Sequence, residues 1–148
     1  MLTRHTEPTR GDCTVEGHSI RTHFGLAAQQ MGVVTQDNTL YGDLSCIDHL
    51  KLFGRVRGVP EADLPRLVDD VLLVTELGPH ATKRSSRLSG GMKRKLCTAL
   101  SLIGNPSVVL MDEPSAGLDP VSRRNLWRVI SETMSDRSVV LTTHLLDE

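Results

Sequence analysis

The chain has 148 residues, a formal net charge of -1, 24% charged residues and 3% aromatics. That length suits one domain whose core buries roughly two-thirds of the unfolded surface. Balanced charge and few aromatics argue against a nucleic-acid partner, which needs a basic surface or base-stacking platforms. Cys13, Cys46 and Cys97 are scattered and form no C-x-x-C pair, so neither a disulfide framework nor a zinc site is favoured and a reduced, cytosol-facing setting fits best.

In chain order, Met1 to His5 reads as the last turn of a helix. Pro8, Gly11 and Gly17 punctuate a turn-rich segment around a short strand near residues 13–15. Thr22 to Gln30 reads as a short helix, and the β-branched run Met31 to Thr35 as a strand ending at Gln36. Ile47, Leu50 and Phe53 recur at helical spacing within a helix over 46–56, which Gly58-Val59-Pro60 breaks. A second amphipathic helix runs from Glu61 to Leu77, with Leu64, Leu67, Val68, Val71 and Leu72 on one face. A third opens at the turn Ser89-Gly90-Gly91 and carries Met92, Leu96, Ala99, Leu100 and Ile103. Asn105-Pro106 stops it. Ser107 to Met111 is apolar after its first residue, as in a strand buried on both faces. Arg123 to Ser135 is a further helix and Ser138 to Thr142 a further apolar strand leading to His144. No apolar run nears the ~20 residues of a membrane span, and no signal peptide stands at the start.

Strands alternating with helices imply β-α-β units and a parallel sheet. The all-helical stretch 45–105 reads as an insertion between two strands. Residues 1–44 and 106–148 then make the sheet-bearing part. All three strong strands end in polar, reactive groups: Gln36, Asp112-Glu113 and His144. Ligands of open parallel sheets bind outside the carboxyl ends of the strands, so three strands aim chemistry at one edge. Lys93, Arg94 and Lys95 form a basic run on the third helix, and the expected role is a solvated face.

The motif order is VVTQ, LSGGMKRKL, VVLMDEPSAGLDP and LTTHLLDE. It resembles the nucleotide-binding domain of an ABC transporter from Q-loop to H-loop, and its wording is most similar to the A-subfamily, whose members mostly move lipids. The resemblance implies an α/β fold of P-loop NTPase type, a parallel sheet with an inserted helical signature subdomain. It implies an ATPase using ATP and Mg²⁺, paired with a second such domain, docked on transmembrane domains at the cytosolic face of a membrane. Asp112 resembles the Walker B acid that holds Mg²⁺. Glu113 resembles the catalytic base that orients the attacking water, and strand alternation is expected to turn it away from Asp112. Gln36 resembles the Q-loop glutamine that touches Mg²⁺ and water, and His144 the H-loop contact to the γ-phosphate. Ser89, Gly90 and Gly91 resemble the signature turn, which serves the nucleotide of the partner domain through close backbone approach and a helix N-terminus. Asp119 lies in the run resembling the D-loop at the dimer interface, and Asp119-Pro120 equally reads as a helix start. Asp48 stands where the family often has a glutamate.

No G-x-x-x-x-G-K-S/T phosphate loop occurs in the 148 residues. The resemblance places that loop just before Met1 and further strands and a helix after His144, so the sequence reads as a domain truncated at both ends and, alone, inactive. It also places the 138–142 strand beside the phosphate-loop strand. Without that neighbour the strand is an exposed apolar edge, and poor solubility is expected. The alternative reading is a non-catalytic module that completes a partner domain's ATP site.

Overall fold

Alternating apolar runs become strands and helices in the order expected for a parallel sheet. The computed structural model describes residues 2–3 and 6–143. Strands β1 (Thr14–Val15) and β2 (His18–Ser19) form a small antiparallel hairpin, followed by α1 (Phe24–Gln29) and β3 (Met31–Val34). Helices α2 (Cys46–Val56), α3 (Leu64–Val74) and α4 (Gly90–Leu102) come next, with short 3-10 turns at Gly78–His80 and Ser85–Arg87. Then follow β4 (Val108–Asp112), α5 (Pro120–Thr133) and β5 (Ser138–Thr142). The main sheet has the order β3-β4-β5, all parallel, with pairs running from Met31–Val108 to Val34–Met111 and from Val108–Ser138 to Asp112–Thr142. The expected α/β class with a parallel sheet is what the chain adopts.

The segment between β3 and β4 is helical throughout and has its own core. Leu50, Leu64, Val68, Leu72, Leu96 and Ile103 close on one another around it. Fully burying one such side chain contributes about 1.5–3 kcal/mol, which explains why this stretch needs no strand. A second cluster, including Val34, Val109, Met111, Leu126 and Ile130, fills the space between the sheet and α4 with α5. A third, Val15, Ile20, Ala27 and Met31, seats the hairpin and α1 near the start of β3.

Capping chemistry sets the helix starts. Ser45 and Asp48 form a reciprocal capping box on α2: the Asp48 backbone N–H donates to Ser45 Oγ at 3.2 Å, and the Ser45 N–H donates to Asp48 Oδ2 at 3.2 Å. An acid one carbon shorter than glutamate thus closes the same box. Asp119 Oδ1 accepts the Val121 and Ser122 N–H groups, both at 3.0 Å, and Pro120 occupies the first turn. Helix α5 therefore starts three residues before the expected Arg123. Helix α3 begins at Leu64, not Glu61, because Pro65 sits in its first turn, where no N–H is required.

Two features depart from the pattern-based reading. The first is the hairpin: His18–Ser19 pairs with Thr14–Val15 across Glu16 and Gly17, both at positive φ. A two-residue turn of that kind joins strands too short to show any alternation. The second is the start of the chain, where Leu2 and Thr3 form a turn and the remainder of the expected helix end lies outside the described residues.

Strand β5 lies at one margin of the sheet among the described residues. Val139 and Val140 are 38% and 49% exposed. Cys46 and Cys97 are buried free thiols, and burial pushes Cys97 up to about 11. Neither is poised as a nucleophile.

Candidate functional site

Two parallel strands release their chains side by side at the carboxyl edge of the sheet. The β3–β4 pairing ends at Val34–Met111. Gln36 lies two residues further along one chain, and Asp112 with Glu113 one and two residues further along the other. Gln36 and Asp112 are exposed, and Glu113 is half-buried. Of the groups expected at this edge, Gln36, Asp112 and Glu113 stand on these two neighbouring chains. His144 lies outside the described residues.

Asp112 closes β4, and its carboxylate is held from the neighbouring strand. Thr142 Oγ1 donates to Asp112 Oδ1 at 2.5 Å. A single oriented carboxylate with solvent access suits Mg²⁺, which takes one or two protein acids and completes its shell with water and phosphate oxygens. Among the described residues, no three His, Cys, Asp or Glu side chains converge as an all-protein metal cage would require.

Glu113 does not continue the strand. Its φ is +47°, in the left-handed region, which non-glycine residues enter only when surroundings impose it, at about 1–3 kcal/mol. The expected strand alternation is therefore not what orients Glu113; a left-handed bend is. The bend is held by the Glu113 N–H, which donates to the Thr142 carbonyl at 3.0 Å, and the turn continues as the Ala116 N–H returns to the Glu113 carbonyl at 3.1 Å.

The Ser89-Gly90-Gly91 turn opens α4 as expected. Ser89 is extended, at φ -65° and ψ 164°, and its Oγ accepts the Met92 N–H at 3.3 Å. Capping uses an acceptor site of the hydroxyl and leaves its proton able to donate to an anion. Gly90 faces open space, with nothing within 4 Å of where a Cβ would stand. Gly91 is closely packed: a Cβ there would meet Ser122 Oγ at 2.8 Å and Ser122 Cβ at 3.0 Å. The turn thus packs against the first turn of α5, which Asp119 caps. Bonds from Ser122 first, then from the backbone N–H groups it caps, hold the Asp119 carboxyl below its usual range.

Arg94 overturns the expectation of a solvated basic face. It is 2% exposed. Its Nη1 donates to the Thr35 carbonyl at 2.5 Å and the Gln36 carbonyl at 3.0 Å. Its Nη2 donates to the Asp112 and Glu113 carbonyls at 3.0 and 2.8 Å, and its Nε to the Pro114 carbonyl. Burial draws the guanidinium below its usual pKa, yet arginine remains charged at any neutral pH. The sequence does carry a signal for this: Cys97, Thr98 and Ser101 follow Arg94 at three, four and seven residues, and α4 buries them all. Small residues at helical spacing mark a face pressed against another element, and Arg94 belongs to it. Lys95 also departs from the solvated reading. Its ammonium pairs with Glu76 at 2.5 Å, and Arg128 of α5 pairs with the same carboxylate.

On the sheet face away from α4 an open hollow of about 580 Å³ is lined by Val33, Leu110, Val140, Asp112 and Thr142.

The sequence model of the ABC transporter family matches residues 1–116. The chain belongs to the ABC transporter family. Within it the ABC domain is 43% identical over 150 residues to ABC transporter A family member 7 of Arabidopsis thaliana, covering all of this chain and 16% of that relative. It is 40% identical over 149 residues to the mouse ATP-binding cassette sub-family A member 7, covering all of this chain and 7% of that protein. The chain is an A-subfamily ABC ATP-binding domain and spans a small part of the relatives it matches. A solved structure described as an ATP-binding subunit of an ABC transporter superposes with a TM-score of 0.80 at 25% identity, covering 99% of this chain and 61% of that one. No helix among the described residues is long and apolar enough to cross a membrane.

Proposed function

We propose that this domain hydrolyses ATP with Mg²⁺ to power transport, of lipids, by an A-subfamily ABC transporter in which it docks on transmembrane domains at the cytosolic membrane face. The observation that carries the reading is the convergence of Gln36, Asp112 and Glu113 beyond the Val34–Met111 pair, with all three backbones gathered on Arg94. In this reading Mg²⁺ neutralises the phosphate charge that grows during cleavage. Asp112, oriented by Thr142, holds the metal, and Gln36 reaches metal and water from the facing chain. Glu113 aligns the attacking water and takes its proton. His144 contacts the γ-phosphate. Ser89, Gly90, Gly91 and Asp119 face the nucleotide of a second ABC domain, whose open approach to Gly90 supports that assignment. Residues 1–44 and 106–148 form the sheet-bearing part and 45–105 the helical signature part, in line with the separate helical core.

The test is Glu113→Gln in the transporter that carries this chain. The amide keeps shape and loses basicity, so turnover should fall by about 10²–10⁴-fold, the usual share of a general base, with ATP binding retained. Unchanged turnover removes Glu113 from the chemistry. The second reading is a non-catalytic module completing a partner's site, a role that the open approach to Gly90 would also serve. It requires that the chain alone show no ATP affinity and alter turnover only when a complete domain is present.

A further inference from the structure

The β3–β4 ladder stops at Val34–Met111, one residue short of Asp112 and two short of Gln36 and Glu113. Beyond that pair the two chains have to be held together by something else. Arg94 stands at that place. Its five N–H groups meet five acceptors, and every acceptor is a backbone carbonyl: Thr35 and Gln36 on one chain, Asp112, Glu113 and Pro114 on the other. A planar guanidinium has its donors in a fixed fork. Five acceptors around it fix the spacing and tilt of both chains at once. Because the acceptors are carbonyls, the arginine reads backbone position and leaves the side chains of Gln36, Asp112 and Glu113 directed elsewhere. It also stands five positions after Ser89 on the same helix, so a displacement of the signature turn reaches these chains through one rigid element.

We propose that Arg94 is a positioning residue for ATP hydrolysis: it clamps the Gln36 backbone to the Asp112-Glu113 backbone, so that the groups addressing metal and water are set as one unit by the signature helix. This rests on the ATPase reading of the site. A lysine cannot replace it, since an ammonium has three N–H groups radiating from one atom and cannot span two chains in this geometry.

The experiment compares Arg94→Met, Arg94→Lys, Gln36→Ala, the double variant Arg94→Met with Gln36→Ala, and Glu113→Gln, all in the transporter that carries this chain. Thermal unfolding gives the folded fraction, and kcat and KM for ATP are expressed per folded molecule. A misplacement of about 1 Å costs on the order of 100-fold in rate, so Arg94→Met should lose about 10- to 100-fold in kcat with KM changed less than about threefold. Arg94→Lys, which keeps charge and bulk and guards against a variant that fails to fold, should recover only a minor part. The Arg94→Met and Gln36→Ala losses should not multiply, because Arg94 acts partly through Gln36. Wild-type kcat per folded molecule in Arg94→Met, full recovery with Arg94→Lys, or strictly multiplicative losses would each overturn the proposal and leave Arg94 a stabilising residue. Glu113→Gln separates the two levels. If it retains full turnover, Glu113 leaves the chemistry and the assignment of roles at this edge falls, and the clamp with it; if it is inactive while Arg94→Met turns over normally, the clamp alone is refuted.

Discussion

Strand β3 approaches α4 so closely at Gly32 that the contact admits no side chain. A Cβ there would be driven into the Ser101 carbonyl oxygen, with the Ser101 carbonyl carbon at 3.1 Å and Pro106 Cγ at 3.3 Å. The obstacle is backbone, so no rotamer change relieves it. An ordinary carbon-oxygen contact needs about 3.3–3.6 Å, and the last turn of α4 has to withdraw from the sheet by about 1 Å. That loosens Cys97 and Leu102 against Val34 and Val109, which share one cluster. Overpacking costs about 1–3 kcal/mol where side chains can give; against backbone, Gly32→Ala is expected at the top of that range, about 3 kcal/mol. At about 2–4 °C per kcal/mol for a chain of this size, Tm falls by about 6–12 °C. Gly25→Ala is the matched control. Gly25 lies within α1 with nothing within 4 Å of its Cβ position and no positive φ, so alanine there should add about 0.4–1 kcal/mol by restricting the unfolded chain. Urea and thermal melts of the two variants should move in opposite directions. A Gly32→Ala loss below about 1 kcal/mol would refute the close approach of β3 and α4. On the proposed ATPase reading the same shift should strain the Arg94 bonds to Thr35 and Gln36, so Gly32→Ala should lower turnover more than its folded fraction explains.

Glu76 joins α3 to α4 and α5 through Lys95 and Arg128. Bonds from Lys95 first, then Arg128, hold its pKa below the usual carboxylate range. A depressed folded pKa contributes stability above the unfolded value near 4.3 that is lost as pH falls through the folded value. The carboxylate is 41% exposed, so solvent screening limits the effect to about 0.5–1 kcal/mol. Glu76→Gln should be less stable than the parent by that amount at pH 7, and the gap should close as pH drops below about 4 and narrow in high salt; a gap constant with pH would exclude the ion pairs as its source. At the β5 margin, Val140→Lys adds a charge to an exposed apolar edge strand, so light scattering of the 148-residue chain should fall with little change in melting. A parent chain that stays monomeric and melts cleanly at high concentration would show that this edge is not an association site.

The element types were legible because each rests on local pattern. Ser107 to Met111 is apolar on both faces and becomes a central strand; Leu64, Val68, Val71 and Leu72 recur at helical spacing and bury one face of α3. The sheet-edge position of Asp112 follows from the length of the run before it. The capped starts were partly legible: Ser89 caps α4 as a serine before two glycines should, whereas α5 starts earlier than its apolar stripe because Asp119 and Pro120 act outside that stripe. The hairpin partner His18–Ser19 was not legible, since two residues cannot display a period.

Sequence by itself therefore determined the α/β alternation, the strand ends that bear Gln36 and Asp112-Glu113, and the family. Tertiary structure decided what those groups lean on. Whether Arg94 meets water or five carbonyls depends on which chains end opposite its helix face, and those chains are 58 and 18 residues away at Gln36 and Asp112. The left-handed bend at Glu113 was likewise decided by a neighbour, the Thr142 carbonyl 29 residues on. Hydrophobic period is written in nearest neighbours along the chain. Desolvation of a charge and strain in a backbone are properties of what surrounds them in space, and only the packed fold supplies those surroundings.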